Sequence, residues 1–345
     1  MKVGKSLSKG EAVKSGVPQG SVLGPILFLV LMIDINKSVS NASVGSFADD
    51  TRLWHSIKNQ LNVDELQADL HAVYGWANDY NMFFNQLKFE RVHYGKNPEQ
   101  ANYTTPNGDV IQTKTAVRDL GVVFDSELMF HQHIVRSVAK ARQMMGWALR
   151  AIRSRSKRVM LTLLNTLIIP HLEYASVVWS PIDMKHINLI ENVQKSLTSK
   201  ISCFQEYDQQ LDSTVCTTDY PQRIASLKRY SLQRRRERYM ILYLYKVIIG
   251  LVPNPGITYT FNDRTLLKIN VKQATGPNWL RKARASTLFT NGAKIFNSLP
   301  RHLRMFNEVA DTDSKKLSIY KRILDKHLVT IPDRPGDRFN SLADM

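Results

Sequence analysis

Two carboxylates in succession, Asp49-Asp50, constrain this 345-residue chain more than any other feature. They stand between two β-like runs, Ala42-Ser43-Val44-Gly45-Ser46-Phe47 before and Thr51-Arg52-Leu53-Trp54 after. Strand, acidic pair, strand reads as a hairpin that holds two like charges at its tip. Such a pair is unfavourable unless a cation neutralises it. Hard carboxylate oxygens suit Mg²⁺ or Mn²⁺, and Mg²⁺ is commonly held by one or two carboxylates together with substrate phosphates. Phosphoryl or nucleotidyl transfer is therefore the first reaction class the pair suggests. Acidic residues also favour solvated turns and helix caps, so the pair alone leaves a purely structural reading open.

The stretch ahead of it narrows the choice. Ser15-Gly16-Val17-Pro18-Gln19-Gly20-Ser21-Val22-Leu23-Gly24-Pro25 is a loop punctuated by glycine and proline. It feeds an apolar segment, residues 26–33, with Pro25 where the first turn of a helix accepts it. Its glycines let backbone approach a ligand closely, and the Gln19 amide both donates and accepts hydrogen bonds. Taken together, SGVPQGSVLGP followed by FADD resembles the reverse transcriptase of non-LTR (LINE-type, jockey- and CR1-like) retrotransposons. The resemblance continues through Trp76 and Phe84-Asn85-Gln86-Leu87-Lys88, and then through Asp119-Leu120-Gly121-Val122. Beyond the polymerase core it extends to residues 174–181, 189–195 and 296–300.

The resemblance implies an α+β fold: a partial right-hand polymerase palm, then a mostly α-helical thumb and C-terminal region. It implies RNA-templated DNA synthesis, a nucleotidyl transfer with an RNA template, a DNA primer and dNTPs as partners and Mg²⁺ or Mn²⁺ as cofactor. Asp49 is then the principal metal ligand, with Asp50 ligating or tuning the site. Pro18, Gln19, Gly20, Phe47 and Ala48 would shape the nucleotide and template pocket. Lys88 is assigned either to the departing pyrophosphate or to a surface turn. Leu120 and Gly121 would form the primer grip. One departure stands out. The family carries another metal-binding Asp on an earlier strand, and no Asp occurs among residues 1–14. The chain is therefore expected to be a C-terminal fragment, inactive alone, with a non-catalytic nucleic-acid-binding remnant as the alternative. A poorly folding fragment is the third reading. No upstream endonuclease is inferred.

Charge is unevenly distributed. Residues 1–125 carry 12 Lys/Arg against 13 Asp/Glu, residues 126–250 carry 19 against 9, and residues 251–345 carry 16 against 8. A balanced catalytic part followed by a basic remainder suits a protein that places metals in one region and phosphate backbones in another. Cys203 and Cys216 are too few for a secreted disulfide scaffold and read as free thiols in a reducing compartment. Nothing near residue 1 reads as a signal peptide, and the apolar run is too short for a membrane span, so a buried helix and no membrane partner are expected. An intracellular location follows, and target-primed integration would require the nucleus.

Four parts are expected: a partial palm over 1–125, a basic helical thumb over 126–200, a basic and mainly helical region over 201–330, and a disordered tail over 331–345. In the first, residues 63–80 show helical spacing, Asn107-Gly108 signals a hairpin, and 116–124 reads as a strand. In the thumb, Ile134, Val138, Ala141, Met145, Ala148 and Ile152 form one apolar face. Arg136, Lys140, Arg150 and Arg153 are assigned to the nucleic-acid backbone, with a solvated cationic surface as the alternative. Helices are expected over 159–172 and 183–200, a loop over 204–221, and one long helix over 223–250. Tyr239, Tyr243 and Tyr245 are expected in a helix core, base stacking being the other use.

Overall fold

The computed structural model describes residues 2–10, 16–17, 20–95, 101–208, 210–211, 213–262, 266–273, 275–305, 312–335, 337 and 340–344. The fold mixes helices with small sheets, every one of them two-stranded among the described residues. By compactness the chain divides between Thr115 and Ala116 into two units.

The first unit opens with a short hairpin, β1 (Lys2–Val3) and β2 (Ser6–Leu7). Helix α1 (Gly24–Met32) starts at the expected glycine; Ser21 Oγ accepts from the Gly24 amide at 3.0 Å and Pro25 occupies the first turn. A 3₁₀ segment, Ile33–Ser38, continues it. Next come the hairpin β3 (Ser43–Phe47) and β4 (Asp50–Trp54), then α2 (Gln60–Asp79). Asn59 caps α2 by accepting from the Asn62 amide at 3.1 Å. Met32, Ile35, Val73, Trp76 and Ala77 form the core, with Phe28 and Phe84 packed on it.

The apolar helix was expected to be buried, and it is not. Ile26, Leu29 and Val30 are 55%, 56% and 62% exposed. A helix that is apolar all round can bury only one stripe against a single neighbour, and here that stripe is Phe28 and Met32. The unit ends with a 3₁₀ turn, Gln86–Lys88, and the parallel pair β5 (Arg91–Val92) and β6 (Thr113–Lys114). Between the last two, Gly108 at φ +88° turns a hairpin closed by the Thr104–Val110 bridge, as Asn107-Gly108 signalled.

The second unit begins with β7 (Ala116–Asp119) and β8 (Val122–Asp125), a hairpin rather than one strand. This hairpin lies in the second unit because Val122 and Phe124 pack against Phe130 and the start of α3 (His131–Ala151). On α3 the buried residues include Ile134, Val138, Ala141 and Ala148, the face expected. The expected helix over 159–172 forms as α4 (Lys157–Leu163), a π-helical turn (Leu164–Ile168) and α5 (Ile169–Glu173). Pro170 lacks an amide hydrogen and its ring crowds the preceding turn, which accounts for the widening there. Then follow α6 (Ser176–Trp179) and α7 (Met184–Thr198), the latter capped by Asp183. Residues 204–221, expected as a loop, contain the hairpin β9 (Gln205–Asp208) and β10 (Ser213–Cys216).

The long helix expected over 223–250 is two helices, α8 (Tyr220–Ser226) and α9 (Leu232–Ile248). Lys228 in the left-handed region, at φ +53°, breaks them. A second cluster, drawn from residues 240–342, joins α9 to the hairpin β11 (Tyr259–Asn262) and β12 (Leu266–Ile269). It also takes in α11 (Ala293–Ser298), α12 (Arg301–Arg304) and α13 (Asp313–Thr330); α10 (Asn278–Ala285) precedes them. Asn297 binds the Ile269 amide and carbonyl at 3.0 and 2.8 Å, so the 296–300 motif pins β12 to the core. Tyr245 stacks on Tyr320 with ring centroids 3.7 Å apart, in keeping with core tyrosines. The 331–345 tail is not disordered where described: Leu342 is 2% exposed, and the Asn340 carbonyl accepts from Arg234 at 3.2 Å.

Arg234 and Arg236 lie inside the fold. Counted with the basic surplus, they are 0% and 1% exposed. Glu191 on α7 and Glu237 on α9 supply the compensating charge. Glu191 also accepts from the Tyr220 hydroxyl at 2.8 Å and the Leu232 amide at 2.9 Å. Arg235 and Arg238 each make two-pronged bonds to a carboxylate, Glu173 and Asp325. Arg234, Arg235 and Arg238 thus tie elements of the fold together, while Arg236 is enclosed with its guanidinium nitrogens unbonded among the described residues.

Candidate active site

In the β3–β4 hairpin Phe47 pairs with Asp50, leaving Ala48 and Asp49 as the two turn residues. Ala48 sits at φ +53°, a region uncommon for a residue with a Cβ. Such backbone strain clusters at functional sites. The Ser46 and Thr51 hydroxyls lie 3.1 Å apart across the strands just behind the pair. Gly45 lies beneath the Trp54 ring, where an added Cβ would come within 3.1 Å of it. Asp49 and Asp50 are both exposed, and no hydrogen bond or ion pair to the described residues engages either carboxylate. Phe47, Ala48, Asp49 and Asp50 are thus brought together on one tip.

An anchor for this hairpin was not read from the sequence. Asp69, on α2, is 3% exposed. Its carboxylate accepts from the backbone amides of Ser40, Asn41 and Ala42 at 2.9, 2.8 and 2.6 Å, fixing the approach to β3. Burial pushes its pKa up, but the three amides outweigh that and hold it below the ordinary Asp range. The one clue in the sequence is an acid on a face of α2 that otherwise packs inward.

The other predicted residues occupy separate loops. Pro18 and Gln19 lie outside the described residues. Gly20 forms an exposed turn at φ +82°. Lys88 is exposed on the 3₁₀ turn capped by Asn85, and no bond among the described residues joins it to Asp49 or Asp50. In the second unit, Leu120 and Gly121 form the β7–β8 turn with φ +43° and +85°. Tyr174 clamps that turn, its hydroxyl donating to the Leu120 carbonyl at 2.9 Å. A Cβ on Gly121 would meet the Tyr174 ring at 3.2 Å. Gly121→Ala is therefore expected to cost about 1–2 kcal/mol in the left-handed region alone, read as a lower urea midpoint of the second unit. Arg136, Lys140, Arg150 and Arg153 are all exposed, the first three on α3 and the last just beyond it.

Hard carboxylate oxygens at the hairpin tip fit a divalent cation as partial ligands. Among the described residues no group of three or more His, Cys, Asp or Glu side chains gathers as a metal site. Asp49 and Asp50 thus supply part of a donor set and fall short of a two-metal one. Among the described residues no helix is long and apolar enough to cross a membrane. Cys203 and Cys216 are free thiols.

This strand–Asp-Asp–strand tip lies within residues 2–124, which match the reverse transcriptase (RNA-dependent DNA polymerase) family. The similarity extends beyond that stretch to RNA-directed DNA polymerases of mobile elements. The RNA-directed DNA polymerase from mobile element jockey of Drosophila melanogaster is 27% identical over 201 residues, covering 55% of this chain and 22% of that protein. Its counterpart from Drosophila funebris is 29% identical with the same coverage. The probable RNA-directed DNA polymerase from transposon X-element of Drosophila melanogaster is 24% identical over 205 residues, 57% of this chain and 23% of that protein. The chain spans less than a quarter of the length of these relatives. No solved structure matches it.

Proposed function

We propose that this chain is the palm-and-thumb portion of an RNA-templated DNA polymerase, with Asp49 and Asp50 holding a catalytic Mg²⁺ or Mn²⁺. The observation that carries the reading is the paired, unengaged carboxylates at a strained hairpin tip inside the reverse transcriptase match. When bound, the metal would polarise phosphoryl oxygens and activate the primer hydroxyl. The chain's own residues position it: Asp69 fixes the approach to β3, Ala48 turns the tip, and the paired strands present both carboxylates to solvent. Leu120 and Gly121, held by Tyr174, would set the primer end, while Arg136, Lys140, Arg150 and Arg153 would track the phosphate backbone. Lys88 would neutralise the departing pyrophosphate. RNA template, DNA primer and dNTPs are the partners this reading requires, and target-primed integration would place the protein in the nucleus.

Two carboxylates make an incomplete two-metal site, and this favours a second reading of the chain taken by itself: nucleic-acid binding without synthesis. Extension of oligo(dT) on poly(rA) separates the two. The chain alone is expected to give no extension above background. In a longer polymerase containing it, Asp49→Asn is expected to lower the rate at least about a thousandfold, since loss of a metal ligand removes several kcal/mol of transition-state stabilisation. Unchanged extension by the Asp49→Asn polymerase would remove Asp49 from the mechanism.

A further inference from the structure

Between α3, α7, β10 and α8 the second unit holds a cavity of about 720 Å³. Arg142 and Met145 line one side, Asn192, Lys195, Ser196 and Ser199 the other, and Cys216 and Arg223 the floor. Three cations face it, and no carboxylate lines it. Arg223 is 4% exposed and fixed: its guanidinium donates to Thr198 Oγ1, Cys216 Sγ and the carbonyls of Lys195 and Thr218. Arg142 and Lys195 are exposed, and neither side chain bonds a described residue. The floor cation is thus preorganised, and the two at the rim are available.

This cavity is distinct from the basic stripe assigned to the thumb. At about 100° per residue, Arg142 sits about 120° around α3 from Arg136, about 160° from Lys140 and about 80° from Arg150. An adjoining cavity of about 440 Å³ shares Asn192 and Lys195 but is lined by Asp219 and Glu191. Those acids make it unfavourable for phosphate, which bounds the cationic site on that side.

We propose that the cavity is a phosphate-binding site, separate from the thumb stripe, that seats the backbone of a nucleic-acid strand. Arg142 and Lys195 neutralise the phosphate, Arg223 adds a buried positive field, and Ser196 and Asn192 supply hydroxyl and amide donors. That the phosphate belongs to a nucleic-acid strand rests on the proposed function, together with the charge of residues 126–345, which carry 35 Lys/Arg against 17 Asp/Glu.

Cys216 provides a readout inside the cavity, and Cys203 is exposed elsewhere. In a Cys203→Ser chain, the rate of Cys216 alkylation by iodoacetamide would be measured with and without a saturating single-stranded oligonucleotide, and with inorganic phosphate. Protection of severalfold or more by the oligonucleotide, absent with phosphate alone, is expected. An Arg142→Ala/Lys195→Ala chain should lose that protection, and the slope of log affinity against log salt should fall by about 1.4, some 0.7 for each lost contact to a single strand. Equal protection by inorganic phosphate would make the cavity a free-anion site and overturn the strand assignment. Salt-dependent binding with no protection of Cys216 would overturn the cavity and leave the thumb reading standing. No binding by the wild-type chain would overturn both.

Discussion

Glu191→Ala is expected to destabilise the second unit by about 3–5 kcal/mol, the cost of leaving the buried Tyr220 hydroxyl and Leu232 amide without their acceptor. Glu191 is 4% exposed, faces the 1%-exposed Arg236, and accepts from the Tyr220 hydroxyl and the Leu232 amide. Truncation strips charge compensation and hydrogen bonds together. Glu191→Gln keeps most of the shape and should cost less. The comparison, made by urea unfolding followed through tryptophan fluorescence, separates charge from packing. A cost below about 1 kcal/mol for the alanine variant would mean that the network does not hold α7 to α9.

The same carboxyl carries a pH signature. Burial pushes both Glu191 and Glu237 up to about 7, from an ordinary value of 4.5. A folded value above the unfolded one means the folded state holds the proton more tightly. The stabilisation is therefore full below about pH 4.5 and is lost as pH rises through about 7. Burial of His133 lowers its pKa and acts in the opposite sense at low pH. The informative quantity is thus the difference between wild type and Glu191→Gln, which should grow in favour of the variant between pH 5 and pH 8. A pH-independent difference would contradict the assignment.

Asp69→Ala is expected to cost the first unit about 3 kcal/mol, because three backbone amides lose a charged acceptor at once. The loss should centre on residues 40–42 and the β3–β4 hairpin, where amide exchange would accelerate while the core helix α2 stays protected. In wild type, the depressed Asp69 pKa contributes stability above the ordinary Asp value, and that contribution is lost as pH falls through the folded value. Unchanged exchange at residues 40–42 would remove Asp69 as the anchor of the acidic tip.

What the sequence made legible was local. The acidic hairpin, the start of α1, the Asn107-Gly108 turn and the apolar face of α3 all follow from patterns within a few residues. What it hid depends on distant partners. Arg236 reads as surface charge until Glu191, far along the chain, is brought beside it. Asp69 reads as one more polar helix residue until the loop before β3 folds onto it. The Tyr174 clamp on Leu120 is likewise invisible in a linear scan, and Lys228 at positive φ gave no glycine to mark the break between α8 and α9. Asn340 and Leu342 lie in a polar stretch that composition assigns to disorder, yet their contacts with α9 close the second unit.

The central proposal, that this chain engages nucleic-acid backbone through its basic second unit, is tested most directly by fluorescence anisotropy. A labelled RNA-template/DNA-primer duplex would be titrated with the full chain across a series of salt concentrations. The account predicts a log–log slope of about −3 or steeper, as expected for several neutralised phosphates. It also predicts that Asp49→Ala leaves the slope unchanged and that replacing Arg136, Lys140, Arg150 and Arg153 with Ala makes it shallower. Affinity that is flat with salt, or indifferent to those four replacements, would contradict it.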